Sequence, residues 1–489
     1  MRVWGDYNLG MMGKMRLVSV VWAAFAFCLV VGTDVLMGDA GAFEKGVVIP
    51  SVSCSGGDGQ SFALYVPVAY QADQAWPVLF AFDPAARGRM PVELFSRAAE
   101  RYGYIVIGSN NSRNGPREPV IKAMNAVWQE ANRLFTIDKR RVYVTGFSGG
   151  SRVSTFFYNV TRNNVAGIIA CGAGLSQIVT PERVRPSLYY GIVGTADFNY
   201  REMLHLHGQL TKAGVTHRIK VFEGTHRWPP EDLCLQAIQW LEVQAVKQKL
   251  KTVDNEFLQE IFSEDLQRAR RLESEGKVVM AVSAFEDILE LFPGRAKGTG
   301  VQKALATLRG TKDYKMFPQL EEKRTERELA IVRDFYQVLS LIHHGEPAQL
   351  RLGKLLPALK LERLKKAAQS RDIYEQGLGI RQLYNLADQT RREAGKFHQQ
   401  GNYLKAILSY EIALATGEKA PYRPYDYYNL ACAHARAGHK KKALKNLESA
   451  AEAGFNRLET INKDPDLDSI RNEPGFVKIV ARIKQDQVH

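Results

Sequence analysis

The chain has 489 residues, 45% hydrophobic and 24% charged, which excludes a disordered polyelectrolyte and is too long for one ordinary core. Two or three domains are expected. Lys and Arg total 66 against 52 Asp and Glu, a formal +14, and a helical tail rich in Lys and Arg accounts for that excess without requiring an anionic polymer as partner.

Residues 1–42 read as a targeting segment. Lys14 and Arg16 precede an apolar run over 17–31, and Ala40-Gly41-Ala42 offers a small-x-small cleavage site before Phe43. The run is short for a membrane span, so export to the periplasm or the medium is expected. A membrane enters only if the segment stays uncleaved as an anchor reaching Met37. Past this segment Cys54, Cys171, Cys234 and Cys432 are scattered, with no CxxC and no metal-ligand spacing. An oxidising compartment would permit a Cys54–Cys234 bridge, but buried free thiols are the expected state.

From about 46 to 245 short β-rich runs alternate with helical ones, the pattern of a mainly parallel, doubly wound sheet. Strands are expected at 61–66, 78–82, 105–108, 142–145, 167–171, 188–193 and 218–222, with helices at 92–102, 119–134 and 200–213 between them. Ligands of such sheets bind beyond the carboxyl ends of the strands. The run at 142–145 leads straight into Gly146-Phe147-Ser148-Gly149-Gly150 and then a helix. A strand, a Gly-x-Ser-x-Gly turn and a helix form a nucleophile elbow: the strained turn projects the serine hydroxyl, and the helix N-terminus aims N–H groups at a developing oxyanion.

Two further loops follow late strands, Gly194-Thr195-Ala196-Asp197 and Glu223-Gly224-Thr225-His226. The order Ser148, Asp197, His226 is nucleophile, acid, base. His226 would take the Ser148 proton and return it to the leaving group, while Asp197 fixes the imidazole tautomer. His205 and His207 fall inside a helix, His217 precedes a strand, and neither Glu202 nor Asp232 follows one directly, so these are the weaker candidates. The oxyanion hole needs the Gly149 N–H and a second N–H from the loop Asp83-Pro84-Ala85-Ala86-Arg87, where Ala85 is the residue in position.

With these motifs the span 61–241 resembles the esterase and polyhydroxybutyrate-depolymerase-like branch of the α/β-hydrolases, close also to phospholipase/carboxylesterase and dienelactone-hydrolase domains. That resemblance implies an α/β-hydrolase fold and hydrolysis of carboxylic esters. The family usually carries His-Gly where this chain has Asp83-Pro84. A carboxylate there would oppose an oxyanion unless Arg87 or Arg89 neutralises it. The polar loop 109–115, with Asn110 and Asn111, and Trp228 just after His226 are the candidate substrate-binding residues.

Beyond about 250 the β signals stop and an all-α region begins. Tyr427-x2-Leu430-Ala431-x2-His434 followed by Ala443-x3-Leu447-x2-Ala450 resembles a tetratricopeptide repeat. Similar spacing recurs in Ala394-x2-Phe397 with Ala406-x3-Tyr410-x2-Ala413, and in Ala269-x2-Leu272 with Ala281-x3-Phe285-x2-Ile288, giving expected helix pairs near 262–295, 387–420 and 424–457. Residues 294–310 read as a flexible joint. Residues 351–371 carry seven basic side chains against Glu362 alone, on leucines at helical spacing, and read as an amphipathic packing helix; no interleaved aromatics or nucleic-acid module accompanies them.

The expectation is therefore an exported serine hydrolase that cleaves a small-molecule or polymer ester through an acyl-serine, without metal or cofactor. Its helical repeats would dock a protein partner or pack on the hydrolase domain. The alternative is an interaction scaffold whose hydrolase domain is weak or inactive; thioesterase and peptidase chemistry would use the same three side chains.

Overall fold

Runs of Val, Ile and Phe bounded by turn residues become the strands of one eight-stranded sheet. The computed structural model describes residues 43–486 apart from 57–58, 162–163, 253–254, 347–349 and 418–421, so the stretch 1–42, expected to be a targeting segment, lies outside the described residues. In chain order the elements are β1 (Val48–Ser53), β2 (Ser61–Tyr65), β3 (Trp76–Phe82), α1 (Arg89–Tyr102), β4 (Ile105–Ser109), α2 (Arg117–Leu134), β5 (Ile137–Phe147), α3 (Gly149–Thr161), β6 (Gly167–Cys171), α4 (Pro181–Val184), β7 (Leu188–Ala196), α5 (Tyr200–Lys212), β8 (His217–Thr225) and α6 (Glu231–Lys247). The spatial order is β1-β2-β4-β3-β5-β6-β7-β8. Pairing is antiparallel from β1 to β4 and parallel from there on. Strand β1 was not expected: VIPSVS holds a proline and lies half-exposed at the sheet edge, where the hydrophobic signal is weak.

Apolar side chains of the central strands feed two cores, one under each layer of helices. On one face Phe80, Phe82, Val144 and Ile168 pack with Met124, Val127 and Phe157 of α2 and α3. On the other, Leu79, Tyr143 and Ile169 pack with Phe95 of α1 and with Ile238, Trp240 and Leu241 of α6.

The rest of the chain is helical: α7 (Asn255–Ser274), α8 (Val278–Leu291), α9 (Val301–Gly310), α10 (Lys312–His344), α11 (Leu352–Leu355), α12 (Leu361–Ala367), α13 (Ile373–Gln399), α14 (Tyr403–Ala415), α15 (Arg423–Arg436), α16 (Lys440–Glu452), α17 (Leu458–Lys463) and α18 (Pro474–Asp486). The pairs α7/α8, α13/α14 and α15/α16 share one construction. Each is joined by three residues whose middle glycine is left-handed: Gly276 at φ 69°, Gly401 at 75° and Gly438 at 78°. The second helices bury Ala281, Phe285 and Ile288; Ala406, Tyr410 and Ala413; Ala443, Leu447 and Ala450. Small side chains at the crossing let each helix approach its partner, and large ones fill the space beside it.

Two expectations for this region change. The supposed joint at 294–310 is mostly α9, whose Val301, Leu305 and Leu308 are buried in the same core as α6. The stretch 351–371 is amphipathic but broken. Pro357 and the left-handed Lys360 (φ 50°) divide it into short turns that bury Leu355, Leu359, Leu361 and Leu364. No described helix is long and apolar enough to cross a membrane.

Candidate active site

The turn after β5 holds its serine in a strained conformation. Ser148 has φ 53°, a left-handed backbone that a non-glycine residue keeps only when its surroundings enforce it, at roughly 1–3 kcal/mol. The enforcement comes from contact. A Cβ at Gly146 would stand 2.2 Å from the Gly150 carbonyl oxygen, and one at Gly150 would stand 2.0 Å from that of Phe82. Glycine at both positions lets the turn close against β3, and the Ser148 N–H anchors it by donating to Cys171 O at 2.8 Å. The fold is that of an α/β-hydrolase.

Asp197 and His226 follow β7 and β8, and the structure brings both to Ser148. His226 Nε2 lies 2.8 Å from Ser148 Oγ, and its Nδ1 lies 2.8 Å from Asp197 Oδ1. The Asp197 side chain is 1% exposed and that of His226 18%, so the carboxylate is enclosed while the imidazole reaches the surface. Asn199 N–H donates to Asp197 Oδ1 at 2.8 Å, and its side-chain amide donates to Gly172 O at 2.7 Å, tying the acid loop to the end of β6. The imidazole is held between Phe147 and Phe198, ring centroids 4.5 and 3.9 Å away. Of the rival residues, His217 bonds His207, Glu202 pairs with Arg152, Asp232 pairs with Arg97, and His205 is exposed on α5. Burial pushes the Cys171 thiol up to about 12, which disarms it as a nucleophile beside the elbow. All four cysteines of the described chain are free and buried, so Cys54 and Cys234 are not bridged.

The loop after β3 departs from expectation. Asp83 is fully buried. Its carboxylate accepts from Arg87 Nε at 2.9 Å and Nη2 at 3.0 Å, from Trp228 Nε1 at 2.8 Å, and from the Ala85 N–H at 2.8 Å. Burial alone would raise this carboxyl, but the Arg87, Trp228 and Ala85 donors outweigh it and hold the group below the usual carboxylate range. Arg87 is thus the neutralising cation, while Arg89 pairs with Glu93 instead. The Ala85 N–H is engaged by its own loop and does not face an oxyanion. Trp228 is buried and serves Asp83, with its ring against Phe147 at 5.7 Å; it does not wall an open acyl pocket. Asn110 and Asn111 are likewise committed to the β1–β2 hairpin. Asn110 Nδ2 donates to Pro50 O, and Asn111 accepts from Ser61 N–H and donates to Gly59 O.

Within the polar loop it is Asn114 that reaches the elbow. Its N–H donates to Pro84 O at 2.8 Å, and its carboxamide lies against Gly149, where an added Cβ would meet Oδ1 at 1.7 Å and Nδ2 at 3.1 Å. The Gly149 glycine makes room for that side chain. The loop's density of hydrogen-bonding groups was the available signal; which asparagine turns inward depends on a bridge between Ala85 and Arg113 that no local pattern encodes.

The site is shallow, with Ser148, Gly149 and His226 all partly exposed. A large, mostly apolar cavity of about 680 Å³ lies elsewhere, between β8 and the helices α5, α6, α7, α8, α10 and α13, with Phe222, Met280 and Phe317 but also Lys220 and Arg271 among its walls and none of Ser148, Asp197 and His226.

No family model matches the chain. A curated relative, a chloroplastic protein of Arabidopsis thaliana, is 24% identical over 98 residues, 20% of this chain and 29% of that protein; the chain spans less than a third of the relative's length. Among solved structures, FphF, a fluorophosphonate-binding serine hydrolase of Staphylococcus aureus, shares 14% identity over 40% of this chain and 98% of its own, with a TM-score of 0.33. S-formylglutathione hydrolase (FrmB) of the same organism gives 14%, 40%, 95% and 0.33. Est1E from Butyrivibrio proteoclasticus gives 11%, 41%, 99% and 0.33.

Proposed function

We propose that the chain is a serine hydrolase that cleaves carboxylic esters through an acyl-serine. The observation that carries this reading is the unbroken hydrogen-bonded line from Ser148 Oγ through His226 to Asp197, ending at a serine with a left-handed backbone. As Oγ attacks the ester carbonyl, His226 Nε2 takes its proton, and Asp197 stabilises the imidazolium. The oxyanion is held by the Gly149 N–H at the start of α3 and by the Asn114 carboxamide, which a half-turn of the amide presents Nδ2 first. The imidazolium then protonates the departing alcohol, and water attacks the acyl-serine by the same route to release the acid. Pairing of Asp83 with Arg87 answers the objection raised by the unusual loop, and an interaction scaffold with a weak or inactive hydrolase domain stays the alternative that the assay below decides.

The shallow rim suits small esters or an extended polymer chain better than a buried long acyl group. Export rests on the composition of residues 1–42, and docking of a protein partner rests on the repeated helix pairs. The test is turnover of short-chain p-nitrophenyl esters and labelling by a fluorophosphonate, both abolished in Ser148→Ala. A wild-type protein that does neither refutes the hydrolase reading.

A further inference from the structure

The loop that carries Asp197 is gripped by helices from the far end of the chain. Arg381 of α13 is 2% exposed, and its Nη1 donates to Thr195 O at 2.6 Å, two residues before the acid. The same guanidinium pairs with Glu328 of α10 and lies 4.6 Å from the Tyr200 ring centroid. Glu328 also accepts from Arg201 at 3.1 and 3.0 Å, and Arg201 reaches Glu321 at 3.0 Å. Both ends of the acid loop are therefore pinned to α10 and α13. At the crossing Gly377 brings the helix backbone close, since a Cβ there would stand 2.3 Å from Thr195 O. Two helical turns along the same face, Tyr384 stacks on Phe198 with centroids 5.0 Å apart and planes 4° apart. Phe198 in turn lies 3.9 Å from the His226 ring centroid.

A buried cation–carboxylate network adds little net stability over an apolar seam, but it fixes one geometry. A hydrolase needs that here, because a displacement of about 1 Å in a catalytic group costs on the order of 100-fold in rate.

The geometry points to Arg381 and Tyr384 as positioning residues: the helical region is a built-in wall of the hydrolase site, holding Asp197 through Thr195 O and His226 through Phe198. This deepens the ester-hydrolase reading and rests on it. Ester turnover by the helical region's variants is thus linked to contacts that never touch substrate.

The test uses the full chain and its Arg381→Met, Tyr384→Ala and Tyr384→Phe variants, with fluorophosphonate labelling rate, kcat and KM on a short-chain ester, and far-UV circular dichroism to verify folding. Arg381→Met and Tyr384→Ala lower kcat about 10–100-fold while KM moves less than about threefold, and Tyr384→Phe, which keeps the stacked ring, restores kcat to within about threefold of wild type. Folded Arg381→Met and Tyr384→Ala proteins with wild-type kcat overturn the inference and leave the hydrolase reading standing. A loss confined to KM overturns it too, since it makes the ring a substrate contact. A wild type that neither labels nor turns over ester removes both. Should Arg381→Met fail to fold, the Tyr384 pair decides alone, because that ring is partly exposed and its loss leaves the buried ion network intact.

Discussion

Replacing Arg87 by Met strips Asp83 of its cation while leaving the carboxylate buried beside the elbow. Two side-chain bonds are lost, at 2.9 and 3.0 Å. Hydrogen bonds to charged groups are worth about 1.5–3 kcal/mol each when shielded. Here the guanidinium is 51% exposed, so solvent screens it, and a net loss of about 2 kcal/mol at neutral pH is expected. The sign of the pH dependence follows from the direction of the shift. In the native chain burial would raise the Asp83 carboxyl, but Arg87 and the other donors hold it low. Its contribution is present above the unfolded value, about 4, and is lost as pH falls through the lower folded value. In Arg87→Met burial dominates, the folded state prefers the protonated acid, and the variant loses stability as pH rises through about 4. The gap between the two proteins should be about 2 kcal/mol at pH 7 and shrink steadily toward pH 3. Urea denaturation at several pH values measures it, and the same substitution in an Asp83→Asn background should then cost almost nothing. A gap that is equal at pH 7 and pH 3.5, or undiminished in the Asp83→Asn background, refutes the reasoning.

Three other expectations test the site and the helical region. Asn114→Ala should lower kcat about 100-fold with KM little changed, read from steady-state ester hydrolysis; a loss under about twofold would mean the oxyanion is held elsewhere. Gly150→Ala places a methyl 2.0 Å from Phe82 O, a backbone atom that cannot swing aside. It should destabilise the protein by about 1–3 kcal/mol in denaturant titration and remove fluorophosphonate labelling, and a normally labelled variant would contradict the elbow geometry. His434 is 2% exposed, and burial, His439 and Lys442 push its pKa down to about 4. The unfolded chain binds its proton first, so stability should fall as pH drops from about 6.5 to 4, by about 3 kcal/mol in all. His434→Gln should flatten that limb of the denaturation profile, and an unchanged limb would count against the buried neutral imidazole.

The features legible in the sequence are those whose physics is local or periodic. Val142 to Ser148 announces itself because a strand that must turn sharply onto a helix needs glycine at Gly146 and Gly150, and the chain order of Asp197 and His226 follows from strands that end where loops begin. The Asp83 loop resisted reading for the opposite reason. Asp-Pro looks like a turn former, and its decisive partner, Trp228, lies 145 residues away. Asn110 and Asn111 looked like ligand binders because the β1–β2 hairpin they staple was itself hard to see, with Pro50 in its edge strand. Asn114 shared their composition and differed only in where the tertiary fold sends it.

Composition also marks where the β signals stop near residue 250, yet that point is not where one core ends and another begins. Ile261, Phe262, Phe285 and Leu305 of α7–α9 belong to the same apolar cluster as Trp240 and Leu241 of α6. Arg218 on β8 reaches Asp287 on α8 at 3.0 Å, and Lys220 pairs with the same carboxylate. Cutting the chain at 250 would expose that apolar face and leave Arg218 and Lys220 without the Asp287 carboxylate that pairs with both. The first helix pair is thus continuous with the core of the sheet. Through α7–α9 the helical region completes the sheet's second core, and through α10 and α13 it reaches the loop that holds Asp197.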